Sequence, residues 1–472
     1  MSILRTKPLS QILPEVDKSS LKRVLGAWDL VAIGIGCIIG VGIFVLPGVE
    51  AATHAGPGIM LSFAIAAAAC ACAALCYAEL AAMIPVAGSA YTYGYATLGE
   101  LPGWIIGWDL ILEYMVAACL VSIGWSAYFA NLVANLLAPW NIAIPAKLSS
   151  APLVWDATVH QFHTTGAWLN LPAVLIIVVL AFLLVRGIKE SARVNGVMVV
   201  IKLAVILLFI GLAVWHVEPA NWRPLMPFGF KGVMTAAAIV FLAFVGFDAV
   251  STTAEEAKNP QRDMPIGIMG SLAVATVLYI AVSAIMTGVV PYQQLGVADP
   301  VALVLNVLDK PFASALISVG AITGITSVLL VLLLAQPRIL FAMSRDGLLP
   351  PAMSRVHARF RTPANTTIVT AVVVCVGAAL LPIDVVAELC SIGTLFAFVI
   401  VSAGVLILRR KRPEIHRPFK APLYPVIPIL GILLCGYLMV SLPFATWIRF
   451  LAWLAIGLVI YFAYSRRHSK LA

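Results

Sequence analysis

The amino-acid sequence predicts an all-α polytopic membrane protein with twelve transmembrane helices. Three observations carry this. Of 472 residues, 62% are hydrophobic and only 11% are charged, whereas a soluble domain carries about 25% charged residues. A surface so poor in charge needs lipid as its solvent. Twelve apolar stretches reach the roughly 20 residues that a helix needs to cross a bilayer core of about 30 Å. Basic residues gather at alternate connections between these stretches, as the positive-inside rule requires.

The stretches run over 28–53, 58–84, 100–137, 167–185, 194–215, 232–254, 266–290, 312–343, 365–382, 385–408, 423–440 and 446–464. The third and eighth exceed one bilayer thickness, so tilt or extension beyond the membrane is expected. Residues 1–25 are polar and basic, with no small-residue cleavage site after a short apolar core; they read as a cytoplasmic segment, not a signal peptide.

The basic residues orient the chain. With the first residues inside, twenty-four Lys and Arg fall on cytoplasmic segments and five, Lys147, Arg223, Lys231, Lys310 and Arg449, fall outside. Both termini are therefore expected in the cytoplasm, with the chain in the cell (inner) membrane. The net charge of +9 faces anionic lipid rather than nucleic acid. The cysteines, Cys37, Cys70, Cys72, Cys76, Cys119, Cys375, Cys390 and Cys435, lie inside apolar runs. They read as packing residues, with no disulfide frame, metal site or cofactor implied.

The chain also reads as doubled. Residues 26–216 and 217–410 each hold five stretches, 411–465 hold two more, and 466–472 form a cytoplasmic tail. Five is odd, so the second half must be inverted relative to the first. Both halves open with an interrupted helix: Gly34-Ile-Gly36-Cys-Ile-Ile-Gly40-Val-Gly42 in one, Phe241-Leu-Ala-Phe-Val-Gly246-Phe-Asp248 in the other. Paired broken helices in inverted repeats point to a substrate site at mid-membrane.

Four glycines in nine residues weaken the first helix. Unwinding there frees N–H groups from Gly40 through Val41 to Gly42, which attract a carboxylate. Freed carbonyls near Ile38, and near Leu242, Ala243 and Val245 of the sixth helix, accept hydrogen bonds from an ammonium. An α-amino acid carries both charges on one carbon and fits this pair of breaks. The alternative is close helix packing through small residues.

Lys202, in Met198-Val-Val-Ile-Lys202-Leu, is a cation deep in a span. Such a lysine costs roughly 2.5–3.5 kcal/mol to insert, so it reads as functional, with a snorkelling side chain as the alternative; proton coupling is the role expected of it. Its ammonium can occupy the place of a sodium ion beside the unwound first helix. Glu113 and Asp248 are expected to face the pocket and to bind a substrate cation or carry a proton. Their alternatives are a structural hydrogen bond for Glu113 and a cap on the sixth-helix break for Asp248. Glu79 reads as a structural partner near the cytoplasmic end.

These residues match a known pattern. Tyr77-Ala-Glu79-Leu, Pro85, Gly88, Ser89, Tyr91 and Tyr93 resemble the second-helix signature of the amino acid–polyamine–organocation (APC) superfamily, and Gly36 to Phe44 resembles its first broken helix. The run from Phe247 and Asp248 through Glu255, Glu256, Lys258, Asn259, Pro260, Arg262, Asp263 and Pro265, with Ser344 to Pro350, is similar to the cationic amino acid transporter branch and its bacterial relatives. The resemblance covers about residues 20–465. It implies the leucine-transporter fold, ten core helices in a five-plus-five inverted repeat with two peripheral ones. It also implies proton-coupled amino acid symport without sodium, with Lys202 at the position of a sodium site. Val41 departs from the Ser or Thr of many relatives, and Pro337 should bend the eighth helix.

The functional expectation is a proton-coupled, sodium-independent amino acid importer in the cell membrane. Its partners would be an amino acid, protons and lipid; an auxiliary membrane subunit is left open. An amino acid exchanger, a channel or a non-transporting sensor are the alternatives. No catalytic constellation or soluble domain suggests an enzyme. The side chain of the substrate, cationic or small and neutral, is not legible.

Overall fold

Apolar runs without water must satisfy their backbone internally, and helices do so within one segment. The structure, a computed structural model, describes residues 23–86, 89–136, 140, 144–156, 161–297, 299–381, 383–440, 442 and 444–470. Arg5, Lys7, Lys18, Lys22 and Gly88 lie outside the described residues. The principal helices are α1 (Ala27–Ile38), α2 (Ile59–Met83), α3 (Glu100–Leu136), α4 (Leu171–Arg186), α5 (Ile188–Ala213), α6 (Gly229–Val240), α7 (Pro260–Val289), α8 (Pro311–Arg345), α9 (Ala364–Leu380), α10 (Ile383–Lys411), α11 (Val426–Val440) and α12 (Phe444–Ile460). Among the described residues, eight segments are long and apolar enough to cross a membrane, and four apolar helices are shorter. Leu46–Met83 bridges the first two predicted stretches and the others overlap one stretch each; the chain is a multi-pass helical membrane protein.

The exposed faces agree with lipid as solvent. Leu175, Val178, Val179 and Phe182 on α4, Val197, Val200 and Leu207 on α5, and Val372, Val373 and Val376 on α9 are all exposed. Their positions on one face of each helix make exposed apolar stripes, as a lipid-facing surface requires.

Two helices are interrupted where the glycines predict. α1 ends at Ile38, Ile39 is extended with φ −82° and ψ 103°, and the chain resumes in the short helices Val41–Phe44 and Leu46–Glu50. α6 passes through a 3₁₀ turn at Phe241–Phe244, an extended Val245, and a second 3₁₀ run over Asp248–Glu256. The two interrupted segments meet again below: Val24 and Leu25 donate their N–H groups to Glu256 O at 2.9 and 3.0 Å, and Lys258 N–H donates to Leu25 O at 2.8 Å.

One element departs from the all-α expectation. Leu153–Asp156 and Gln161–Thr164 pair as an antiparallel hairpin in the connection before α4, where the sequence suggests only a loop. α8 runs on as helix through Pro337. α1 packs on α5 and α7, while α3 packs on α8 and α10, so the breaks lie in the middle of the bundle. The end that carries the start of α1 and the ends of α8 and α10, with Arg409, Arg410 and Lys411, is called the basic end below.

Candidate functional site

The breaks face each other because small residues let backbone approach backbone. Gly246 has φ +127°, which L side chains rarely adopt, and a Cβ there would lie 2.6 Å from Cys37 Sγ. A Cβ on Gly42 would lie 2.5 Å from the Cβ of Ala243. Gly34 serves packing instead: its missing Cβ makes room for Ser271 on α7.

Between the breaks and α3, α8 and α10 lies a cavity of about 620 Å³, within the range of small-molecule sites. Ile38, Gly40, Gly42, Leu242, Ala243 and Val245 line it, with Cys37, Leu46, Val49, Ala117, Leu120, Val121, Gly124, Val328, Leu332 and Cys390. Among the described residues its walls are aliphatic side chains, the thiols of Cys37 and Cys390, and backbone, with no charged side chain. Val41 opens the short helix after the break, and its side chain lies outside the described residues. Glu113 and Asp248 are buried beside the cavity rather than on its wall.

Lys202 reaches the break from α5. Its fully buried ammonium donates to Ile35 O at 2.9 Å, Gly36 O at 3.0 Å, Ile39 O at 2.7 Å and Ser327 Oγ at 2.7 Å. Ser327 Oγ lies 3.0 Å from Gly36 O and 2.7 Å from Gly324 O. Three carbonyls and a hydroxyl thus converge on one side-chain nitrogen. A neutral amine offers one donor fewer to these acceptors. Two turns earlier on α5, Asn195 Nδ2 donates to Ala32 O at 3.0 Å, so α5 grips the last turns of α1 at two levels.

Asp248 caps its own break: Oδ1 accepts the Gly246 N–H at 3.2 Å, and Oδ2 accepts the Tyr114 hydroxyl. Glu113 Oε1 accepts the Thr394 hydroxyl at 2.7 Å. Tyr279 on α7 contacts both breaks, its hydroxyl lying 2.7 Å from Ile38 O and 2.8 Å from Ala243 O. One hydroxyl hydrogen cannot serve two carbonyls fully, so these acceptors retain capacity for an added donor.

The basic end is held by buried ion pairs. Arg338 Nε and Nη2 donate to the two carboxylate oxygens of Glu256 at 2.7 and 2.8 Å. Arg345 lies 2.8 Å from Glu255. Glu79 accepts from Arg409, lies 3.4 Å from Arg417, and accepts the Ala421 N–H at 2.8 Å. Glu79 is thus a structural partner near that end. Tyr279, Ser327 and Asn195 escape the sequence reading, because a hydroxyl or amide in an apolar run is common and the signal lies in what it touches.

Sequence comparison follows from this geometry. A profile of the family described as amino acid permease matches residues 25–463. The chain is 51% identical over 472 residues to the branched-chain amino acid permease BcaP of Bacillus subtilis (strain 168), covering 100% of this chain and 99% of that protein. It is 49% identical over 470 residues to the methylthioribose transporter of the same organism, with 100% and 99% covered. It is 39% identical over 414 residues to the chloroplastic cationic amino acid transporter 9 of Arabidopsis thaliana, covering 86% of this chain and 71% of that protein.

Proposed function

The chain belongs to the amino acid permease family of the APC superfamily, a family of transporters and not enzymes, and we propose that it imports neutral aliphatic amino acids together with protons and without sodium. The observation that carries this reading is the Lys202 ammonium on the carbonyls of Ile35, Gly36 and Ile39. A tethered cation there supplies the charge that a sodium ion would bring, and a lysine can gain and lose a proton in each cycle.

In this reading the basic end faces the cytoplasm. The chain has twelve spans in the leucine-transporter arrangement, with inverted halves at 26–216 and 217–410. The substrate carboxylate meets Gly40, Val41 and Gly42, and its ammonium meets carbonyls of Ile38, Leu242, Ala243 and Val245. Glu113 and Asp248 shape the pocket from behind its wall.

The aliphatic cavity supports a neutral side chain. A buried cation without a counter-charge costs several kcal/mol, and the wall supplies none. The relative named a branched-chain amino acid permease supports the same class. The hydroxyls of a methylthioribose would need polar partners that these side chains do not offer. Uptake of labelled leucine, lysine and methylthioribose into proteoliposomes tests the substrate class, with leucine expected to win. Obligate exchange is the competing mode, and it requires amino acid inside the vesicles before uptake begins.

A further inference from the structure

Asp109 is absent from every role described so far, yet it is fully buried and, among the described residues, neither of its carboxyl oxygens has a hydrogen-bond partner. Burying a carboxyl group in this way costs stability with nothing returned. Glu113 Oε2 is likewise without a partner among the described residues. The two residues are four apart on α3, so they sit one above the other, about 6 Å apart along the axis. Continuing that face by one turn reaches Ala117, which lines the cavity, followed by Val121 and Gly124. A single stripe of α3 therefore leads from the cavity through Glu113 to Asp109, toward the basic end.

The facing surface of α10 leaves room between them. A Cβ on Gly393 would lie 3.2 Å from Asp109 Oδ1 and 3.4 Å from the Glu113 Cβ. One glycine thus abuts both carboxyl-bearing side chains. Thr394 holds Glu113 through Oε1 and leaves Oε2 to serve the next partner.

We propose that Asp109 and Glu113 form a two-step carboxyl ladder on which the transported proton leaves the cavity, with Asp109 as the release station. This rests on the proton-coupled reading above. A proton held on Glu113 passes to the Asp109 carboxylate, directly or through one water. The O–H bond on Glu113 breaks, an O–H bond on Asp109 forms, and the negative charge moves back to Glu113. When the basic end opens, Asp109 gives the proton to water and is again a carboxylate. Glu113 takes the next proton from the cavity side.

The experiment uses the full chain in proteoliposomes with L-leucine and a pH dye inside. Three readings are taken: leucine accumulation under an imposed proton gradient, internal acidification per leucine, and leucine exchange without a gradient. Asp109→Asn is expected to lose accumulation and acidification and to lose far less of the exchange; Asp109→Glu is expected to recover coupling. A purely structural role would lower all three together. Acidification per leucine equal to wild type in Asp109→Asn overturns the ladder. If that variant does not reach the membrane, substrate-induced infrared difference spectra decide the question. A carboxylic-acid C=O band that moves in Asp109→Glu supports the ladder, and spectra identical to wild type overturn it. Absence of acidification in the wild type defeats proton coupling itself, and the ladder with it, which separates the two failures.

Discussion

Lys202 Nζ and the carbonyl of Ile39 are 2.7 Å apart, which ties α5 to the residue at which α1 unwinds. Ile39 is the first extended residue after the helix, so the ammonium binds the break together with the last turn of the helix, through Ile35 O and Gly36 O. Losing this donor removes the ammonium from Ile39 O, at about 1–3 kcal/mol, while Ile35 O keeps the Ile39 N–H and Gly36 O keeps the Ser327 hydroxyl. Lys202→Met is expected to lower the unfolding temperature in detergent and to make the protein more susceptible to proteolysis near residues 35–42. An unchanged melting curve would show that the break is held by other contacts.

Substitution of Gly42 tests the substrate site. A Cβ at Gly42 falls 2.5 Å from that of Ala243, so Gly42→Leu drives a side chain into the junction of the breaks. Leucine binding, read as a thermal shift of the purified protein, is expected to disappear while membrane insertion persists. Unchanged affinity removes Gly42 from the site.

The size series of substrates follows from the aliphatic wall. Each buried CH₂ contributes about 0.8 kcal/mol, so leucine, with three more carbons, should bind more tightly than alanine by about 2.4 kcal/mol, a factor of roughly sixty. Competition of unlabelled amino acids against labelled leucine measures this order. Lysine competing as well as leucine would contradict it.

Glu113 should govern coupling rather than side-chain choice. It lies behind the cavity wall with its carboxylate on Thr394, so Glu113→Gln is expected to change the leucine-to-lysine preference little and to lower proton-driven accumulation strongly. A selective change in lysine affinity would return Glu113 to the pocket.

Arg338 and Glu256 form a buried bidentate pair at the basic end. Removing one partner leaves the other charge uncompensated, at about 3–5 kcal/mol. Glu256→Gln is expected to destabilise the state in which that end is closed. Cysteine labelling from the basic side should then rise at Cys37 in the variant. Equal labelling in wild type and variant would make the pair a general fold contact instead.

Both helix breaks were legible because their cause is local: glycines cluster at 34–42, and Gly246 precedes an Asp able to cap. Lys202 was legible for the opposite reason, as a cation with no local excuse. Long-range geometry was not legible. Nothing near Glu113 in sequence says that Ala117, one turn on, lines the cavity while Glu113 stands behind it. The meeting of Tyr279 with Ile38 and Ala243 joins positions more than thirty and two hundred residues away. The hairpin at Leu153–Asp156 was hidden because its short strands carry little alternation of apolar and polar residues.

The central claim is that the proton, handled through Lys202, drives uptake. The most direct measurement is leucine accumulation by wild type and Lys202→Ala in proteoliposomes with imposed ion gradients. Wild type should accumulate leucine under an inward proton gradient, carry inward charge, and ignore replacement of sodium by potassium; Lys202→Ala should fail to accumulate. Strict sodium dependence, or a Lys202→Ala variant that still concentrates leucine under the proton gradient, would contradict the account.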